Sequence, residues 1–413
     1  MDKMILPKHP HIHTVTSLHI TSNKQYMKRI ILAVTNDLAT DQRVDRTCRA
    51  LTEDGWDVTL VGRKLRNSLP LESRPYSTHR MHLVFRRSAL FYAEYNLRLF
   101  LLLLFRKADC LFANDTDTLA ACCLASRILR KPLVFDAHEL FPEVPELAGR
   151  PRVKAIWEWV ERVSLPYAKC CFTVCQSVAD EYRRRYGVEM TVVRNVPDRP
   201  AVPPQIHSHD AGRQPILLYQ GAVNIGRGIH ELVDAMGHLP ECRLVVAGDG
   251  DVLRQEQAYA ATLPWNDRIQ FLGRVTPSRL HSLTSQATLG LCLLEDLGLN
   301  YRYSLPNRIA DFANAGVPVL ATDFPEIRRV LEEYGTGTLT APLPHEKSGE
   351  NYRLYITRLA EDIQSALHYW EGLPADERQR RFARAGEELN WQHEIHRLIE
   401  AIHTLERCQP QNT

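Results

Sequence analysis

Four short stretches in the second half of the chain hold residues whose types and spacing suit the binding of a phosphorylated nucleoside. In Ser304-Leu-Pro-Asn-Arg-Ile-Ala-Asp311, the residues Leu305, Pro306 and Asn307 make a turn. Arg308 to Ala315 then has helical spacing, closed by a C-capping Gly316. A helix N-terminus offers free backbone N–H groups and the positive end of a dipole, which suit a phosphate. Asp311, one turn in, sets a carboxylate where it can take a ribose diol. Leu218 to Gly228 reads as a strand, a glycine-rich turn and a helix start. There Gly221 lets a ligand approach the backbone, and Arg227 can grip a diphosphate with its planar fork. Val246-Ala-Gly-Asp-Gly250 ends another strand in a glycine turn, and Phe271-Leu-Gly-Arg-Val275 ends a third, where a base can lie against the backbone and Arg274.

The elements around these stretches alternate. Strand-like runs occur at Ile30–Val34, Val58–Val61, Leu111–Ala113, Leu133–Phe135, Cys171–Val174 and Thr191–Val193. A second series runs through Ile216–Tyr219, Arg243–Ala247, Ile269–Phe271, Leu289–Leu293, Pro318–Ala321 and Gly337–Thr340. Helix-period stretches such as Gln42–Glu53, Asp117–Leu129 and Val178–Tyr186 lie between, and helices finish the chain. The 413 residues suffice for two domains. The expected organisation is α/β, with two doubly wound Rossmann-like domains facing a central cleft. Residues 27–197 form the first domain, 198–214 a Pro-, His- and Asp-rich linker, and 215–388 the second. Residues 389–413 supply a final helix, and residues 1–26, polar and His-rich, read as a disordered leader without a secretory core.

Net charge is near zero, with a basic first half and an acidic second half. Anionic membrane, a phosphate-bearing acceptor or nucleic acid would suit the basic half, and scattered solvated charge accounts for it equally well. Phe85 to Phe105 is apolar nearly all round and bracketed by Arg86, Arg87, Arg106 and Lys107. Its uncharged run is too short to span a bilayer, so it reads as a buried helix or an interfacial one. The ten cysteines form no disulfide framework and no metal-ligand set, so buried thiols in a reducing cytoplasm are expected.

With these residues in view, the chain resembles the retaining, GT-B-fold glycosyltransferases of family 4 from Ile30 to its final helix. The matching features are Arg227-Gly228, Gly248-Asp249-Gly250, Phe271 to Val275, and Asp311 with Asn314-Ala-Gly-Val-Pro-Val319. Asp311 takes the second acidic position of an E-x7-E signature, which in the family binds the nucleotide ribose. Tyr303 stands where the first Glu, a donor-sugar contact, is usual, and Ala222 replaces a common basic residue. Both departures mark a subgroup with an L-P-N-[KR] turn, in which Asn307 and Arg308 can supply phosphate contacts. The loop Asn36 to Val44 stands where family members place a paired-glycine loop, which makes Asp41 and Arg43 candidate contacts on the sugar and acceptor side. Ala113-Asn-Asp-Thr-Asp117 resembles the subgroup's cleft-facing acidic turn and brings in Asp115. In Phe135-Asp-Ala-His-Glu139, the resemblance sets His138 beside the transferred sugar, with Asp136 adjacent. Glu139 is expected to orient the acceptor or stabilise charge at the anomeric carbon.

The resemblance implies sugar transfer, with retention, from a nucleotide-diphosphate sugar to a glycan or lipid-linked glycan, in cell-surface polysaccharide or glycolipid assembly. No cofactor, metal or nucleic acid is expected. The implied place is the cytoplasm, at the inner face of the membrane, with peripheral contact to anionic lipid. The alternatives are a nucleotide-binding relic or scaffold and a sugar-nucleotide epimerase. A phosphorylase would need a cofactor lysine, and Lys347 lies in an unsuitable loop. No GxGxxG follows the first strand, which argues against a dinucleotide oxidoreductase.

Overall fold

The computed structural model describes residues 28–199 and 214–407, apart from Thr40, Asn67, Leu69 and Ala148. Residues 1–26, most of the 198–214 linker and Cys408 lie outside the described residues. The first sheet has seven parallel strands: β1 (Arg29–Asp37), β2 (Asp57–Lys64), β3 (Ser77–His82), β4 (Cys110–Asn114), β5 (Leu133–Ala137), β6 (Ala168–Thr173) and β7 (Thr191–Val192), in the order β3-β2-β1-β4-β5-β6-β7. Strands buried on both faces must be apolar throughout, and β1 shows why. Ile30, Leu32 and Val34 face one core, and Ile31 and Ala33 face the other.

Four helices, α2 (Ser88–Phe105), α3 (Thr116–Leu129), α4 (Pro151–Ser164) and α5 (Gln176–Tyr186), cover the Ile31 face. The opposite face is covered by α1 (Gln42–Glu53) and by the final helix described below. Among these elements β3 has no counterpart in the sequence reading. It is an edge strand of sequence STHRMH with only Met81 buried, so it lacks the apolar run that marks the inner strands.

The second sheet has six parallel strands: β8 (Ile216–Gln220), β9 (Arg243–Ala247), β10 (Ile269–Gly273), β11 (Leu289–Cys292), β12 (Val319–Thr322) and β13 (Gly337–Thr340), in the order β10-β9-β8-β11-β12-β13. Around it lie α6 (Ile229–Ala235), α7 (Leu253–Ala260), α8 (Pro277–Gln286), α9 (Leu299–Arg302), α10 (Asn307–Asn314), α11 (Pro325–Tyr334), α12 (Gly349–Gly372) and α13 (Ala375–Glu388). The last helix, α14 (Trp391–Arg407), leaves this domain and lays Trp391, Ile395, Leu398 and Ile402 into the first domain's core. Buried Glu394 of α14 receives Arg194 there at 2.7 Å. In each sheet the chain reverses direction beside the first strand, between β1 and β4 and between β8 and β11. Ligands of such sheets bind outside the carboxyl ends of the strands at that reversal.

Candidate active site

On the second domain, three loops at the carboxyl ends of β8, β9 and β11 meet. Gly248 packs so closely on the β8 loop that a Cβ would stand 1.7 Å from the Gly221 carbonyl oxygen. A Cβ on Gly250 would stand 2.3 Å from the Val223 oxygen. These glycines therefore let the two loops abut. Gly221 itself, at φ +124°, makes room for Arg308, whose Nη2 would lie 3.1 Å from a Cβ there. Gly221 is itself exposed, so this packing is a second demand on it beside the expected approach of a ligand.

Arg308 is in the first turn of α10 and is 8 % exposed. Its guanidinium lies 4.4 Å over the Tyr219 ring, and its Nη1 has no hydrogen-bond partner among the described residues. Arg227 lies 4.7 Å over Tyr301 and likewise keeps a buried, unpaired Nε. Burial raises the Cys292 thiol at the end of β11, and both cations oppose that rise, so both act on the same strand end. A buried unmatched donor is costly unless something completes it, and two guanidinium forks suit a diphosphate.

Asp311 is one turn further along α10, accepting from Gln220 Nε2 at 3.2 Å. Burial pushes its carboxyl up to about 6, against the opposing pull of Gln220, Arg308 and Arg46. Arg46, on α1 of the first domain, thus acts on Asp311 electrostatically. It is anchored to Asn195 Oδ1 at 2.9 Å and to the Val196 carbonyl, and lies 5.1 Å over the Trp391 ring. Leu305 packs on the domain core, Pro306 caps α10, and Asn307 is exposed at its start. Arg274 is exposed beyond β10.

On the first domain, the ends of β4 and β5 hold a network of charges. Asp136 is fully buried and takes Arg43 in a fork, Nε at 3.1 Å and Nη2 at 2.9 Å. The third Arg43 nitrogen donates to the Val193 carbonyl at 2.9 Å. Burial works to raise the Asp136 carboxyl, but Arg43 and then His138 hold it well below the usual range. Arg43 and Asp136 are therefore a buried foundation and not the acceptor contacts expected of them. Non-local pairing, invisible in sequence, consumes their hydrogen-bonding capacity.

His138 stands on this foundation. Its Nε2 is 3.2 Å from Asp136 and its Nδ1 3.3 Å from Asp115. Burial opposes its charge, yet the two carboxylates hold it as imidazolium up to about 9. Both ring nitrogens are thus engaged, which suits a fixed positive charge and not a free proton acceptor. Asp115 also accepts from the His138 backbone N–H at 2.8 Å. Its backbone, at φ +59° and ψ +164°, occupies a region that glycine almost alone adopts. Such strain survives where surrounding contacts over-determine it, and it gathers at functional sites. Asp41 caps α1 through the Val44 N–H and accepts from Asn36 at the cleft rim.

Beside this network lies a cavity of about 240 Å³ walled by Thr35, Asn36, Asp117, Glu139, Tyr92 and Phe141. Burial, with Asp115 adjacent, pushes the Asp117 carboxyl up to about 7, although Thr35 donates to it.

Several contacts tie the halves together, among them those of Ser177 with Glu326 and those of Asn300 and Tyr303. The Asn300 side chain, on α9, accepts from the Leu140 N–H at 3.0 Å and donates to Glu139 at 3.2 Å. Tyr303 packs against the first domain's core, and its carbonyl receives the Cys175 thiol at 3.1 Å. Asn300 and Arg46 escaped the sequence reading. Arg46 follows Arg43 by three residues on one helix, a spacing that could have drawn attention to it.

The two halves of this cleft have separate matches among known families. Residues 41–198 match Glycosyltransferase Family 4, and residues 205–388 match Glycosyl transferases group 1. The chain belongs to the family 4 glycosyltransferases. This glycosyltransferase has the GT-B fold. It covers all of sucrose-phosphate synthase from Thermosynechococcus elongatus with 92 % of its own length, at a TM-score of 0.72 and 18 % identity. Against Anabaena HepE in complex with UDP-glucose the TM-score is 0.65 at 15 % identity, with 92 % of this chain and 99 % of that one covered. Among curated proteins it is 23 % identical over 237 residues to the chitobiosyldiphosphodolichol beta-mannosyltransferase of Candida albicans, covering 50 % of each chain. The glycosyltransferase thus spans about half the length of that curated relative.

Proposed function

We propose that this glycosyltransferase moves a sugar from a nucleoside-diphosphate sugar to a hydroxyl of a glycan or lipid-linked glycan. The observation that carries this is the pair of guanidinium groups with unmatched buried nitrogens, Arg227 before α6 and Arg308 in the first turn of α10, with the half-buried Asp311 one turn further along α10. The diphosphate would lie between the two arginines at the start of α10, with the ribose on Asp311. As the glycosidic bond to the donor breaks, negative charge grows on the diphosphate. Preorganised cations stabilise that charge without reorganising. The acceptor would enter the cavity walled by Glu139 and Asp117. The imidazolium of His138 is next to it and offsets the carboxylates crowded there. UDP-glucose in the Anabaena neighbour and the lipid-diphosphate in the name of the Candida relative support these two substrate classes.

Retention follows if the leaving phosphate takes the acceptor proton on the same face. The Candida relative's name specifies a beta linkage, so the anomeric configuration of the product, read by NMR, separates retention from inversion.

Thermal-shift titration with UDP, GDP and ADP tests the donor site. One of them should raise the melting temperature in proportion to the logarithm of its concentration. Arg227→Ala and Asp311→Ala should abolish both that shift and transfer. Undiminished activity in both variants would sink the assignment.

Asp311 also sets a pH dependence with two opposite signs. An ionised carboxylate accepts from both ribose hydroxyls, whereas the acid does not. With its pKa raised to about 6, nucleotide affinity should fall roughly ten-fold between pH 7.5 and pH 5. Stability moves the other way. The folded protein holds this proton more tightly than the unfolded chain, so the Asp311 contribution to stability increases as pH falls from 6 toward 4. Calorimetric titration of wild type and Asp311→Asn checks it, because the variant should lose the affinity slope.

A further inference from the structure

The helices α2, α3 and α4 form one layer on the first sheet, with α3 packed between the other two. Their inner rows are core. On α2 these are Phe91, Tyr95, Leu99 and Leu103. Their outer rows are also apolar, where a solvated layer would be polar. Leu97 and Leu101 of α2, Leu124 and Ile128 of α3, and Ile156 and Trp159 of α4 are all exposed. Trp159 is 62 % exposed and Leu97 60 %. These residues sit on three neighbouring helices and point away from the same sheet, so they make one broad apolar face. Contiguous patches of this kind mark binding surfaces.

The charges on this face are one-sided. Arg98, Arg127, Arg152 and Arg162 are exposed on the three helices, and no exposed Asp or Glu lies on them. Arg86, Arg87, Arg106 and Lys107 flank α2 and are exposed. The single carboxylate of α2, Glu94, is tied to the Val84 and Phe85 N–H groups and to Arg98.

We propose that this face docks peripherally on a bilayer containing anionic phospholipid. Apolar side chains enter the acyl boundary, Trp159 rests at headgroup level, and the surrounding guanidinium and ammonium groups meet lipid phosphate. Basic residues near an anionic leaflet strengthen such docking, and salt screens their contribution. Crossing the membrane is excluded because the inner row of α2 is locked in the sheet's core. A second copy of the chain is the less suitable occupant. A two-fold contact lays the patch on itself, and here it would set arginines against arginines with no exposed acid to pair them.

Docking here does not depend on the donor chemistry. It does bear on access, because the 240 Å³ cavity is walled by Tyr92 of α2, whose ring meets Trp157 of α4 at 4.9 Å. An acceptor held by a lipid would then reach the cleft from the plane on which the domain rests.

Flotation of the full chain with vesicles tests the proposal. The chain should float with phosphatidylcholine vesicles containing phosphatidylglycerol, weakly with phosphatidylcholine alone, and less in high salt. The double variant Leu97→Ser, Trp159→Ser should float on the order of ten-fold less, from the apolar area withdrawn. Arg106→Glu with Lys107→Glu should remove the preference for anionic lipid. An unchanged nucleotide-induced thermal shift would show that these variants are folded. Tryptophan quenching by brominated lipid should occur in the wild type and fall sharply in Trp159→Phe. Absence of vesicle binding at low salt, equal binding by the patch variants, quenching unaffected by Trp159→Phe, or a wild-type dimer that the patch variants split would each overturn the proposal.

Discussion

Replacing Arg308 by Gln should weaken nucleotide-diphosphate binding by roughly 30- to 5000-fold, and transfer with it, while leaving the free protein as stable as before. The two halves of this expectation have one cause. The guanidinium is buried beneath the ligand spot with Nη1 unmatched, so the unliganded fold bears its desolvation and does not recover it. Bound diphosphate would supply the missing acceptors as charge-assisted bonds, and losing a buried, hydrogen-bonded charge partner costs about 2–5 kcal/mol. Glutamine keeps some of the stem that packs on Tyr219 but removes the charge and the fork. Lysine keeps the charge without the fork, so Arg308→Lys should fall between the two. Calorimetric titration with the nucleotide found by thermal shift, together with the melting temperature of the free protein, measures both quantities. Wild-type affinity in Arg308→Gln would remove the diphosphate from this spot. A collapse in melting temperature would instead make Arg308 a structural residue.

The second large effect is expected from Asp136→Ala, and it falls mainly on stability. The variant leaves Arg43 buried with two nitrogens unmatched, a situation that costs about 3–5 kcal/mol. It also removes one of the two carboxylates that keep His138 charged. The His138 pKa should then drop from about 9 toward its ordinary value. The double variant Arg43→Met, Asp136→Leu removes the charge pair as a whole and should recover much of the stability. Scanning calorimetry of the three proteins measures the first effect, because it can separate the transitions of the two domains. NMR titration of His138 measures the second. A single variant as stable as wild type, or a His138 that titrates unchanged, would overturn this account of the foundation.

These two sites differ in how far the sequence revealed them. Arg308 is in the same short segment as the turn and Asp311, so local spacing exposes it. Inner strands such as β4 and β5 are equally legible, because burial on both faces forces unbroken apolar runs. The Arg43–Asp136 fork joins residues 93 positions apart. Residue type gave the candidates, but only the fold shows that they satisfy each other and so face no ligand. Asn300 was hidden for a different reason. Its value comes from standing between the domains, where it touches Leu140 and Glu139 at once, and nothing in its neighbourhood on the chain signals that. The apolar sequence of α2 was visible, but only its inner row is explained by the core. The outer row gains meaning when α3 and α4 are seen to continue it.

The final helix carries a consequence for how the chain is made. One whole face of the first sheet, with Ile30, Leu32 and Phe112, is closed in part by Trp391, Ile395, Leu398 and Ile402 of α14. On the ribosome the first sheet emerges long before α14 does, because the entire second domain is synthesised in between. An N-terminal domain that ordinarily finishes folding first must here wait with part of its core uncovered. During that interval the growing chain presents an apolar stripe that invites chaperones or misassembly. The event that finally covers it also draws the second domain against the first, so completion of the core and assembly of the cleft coincide.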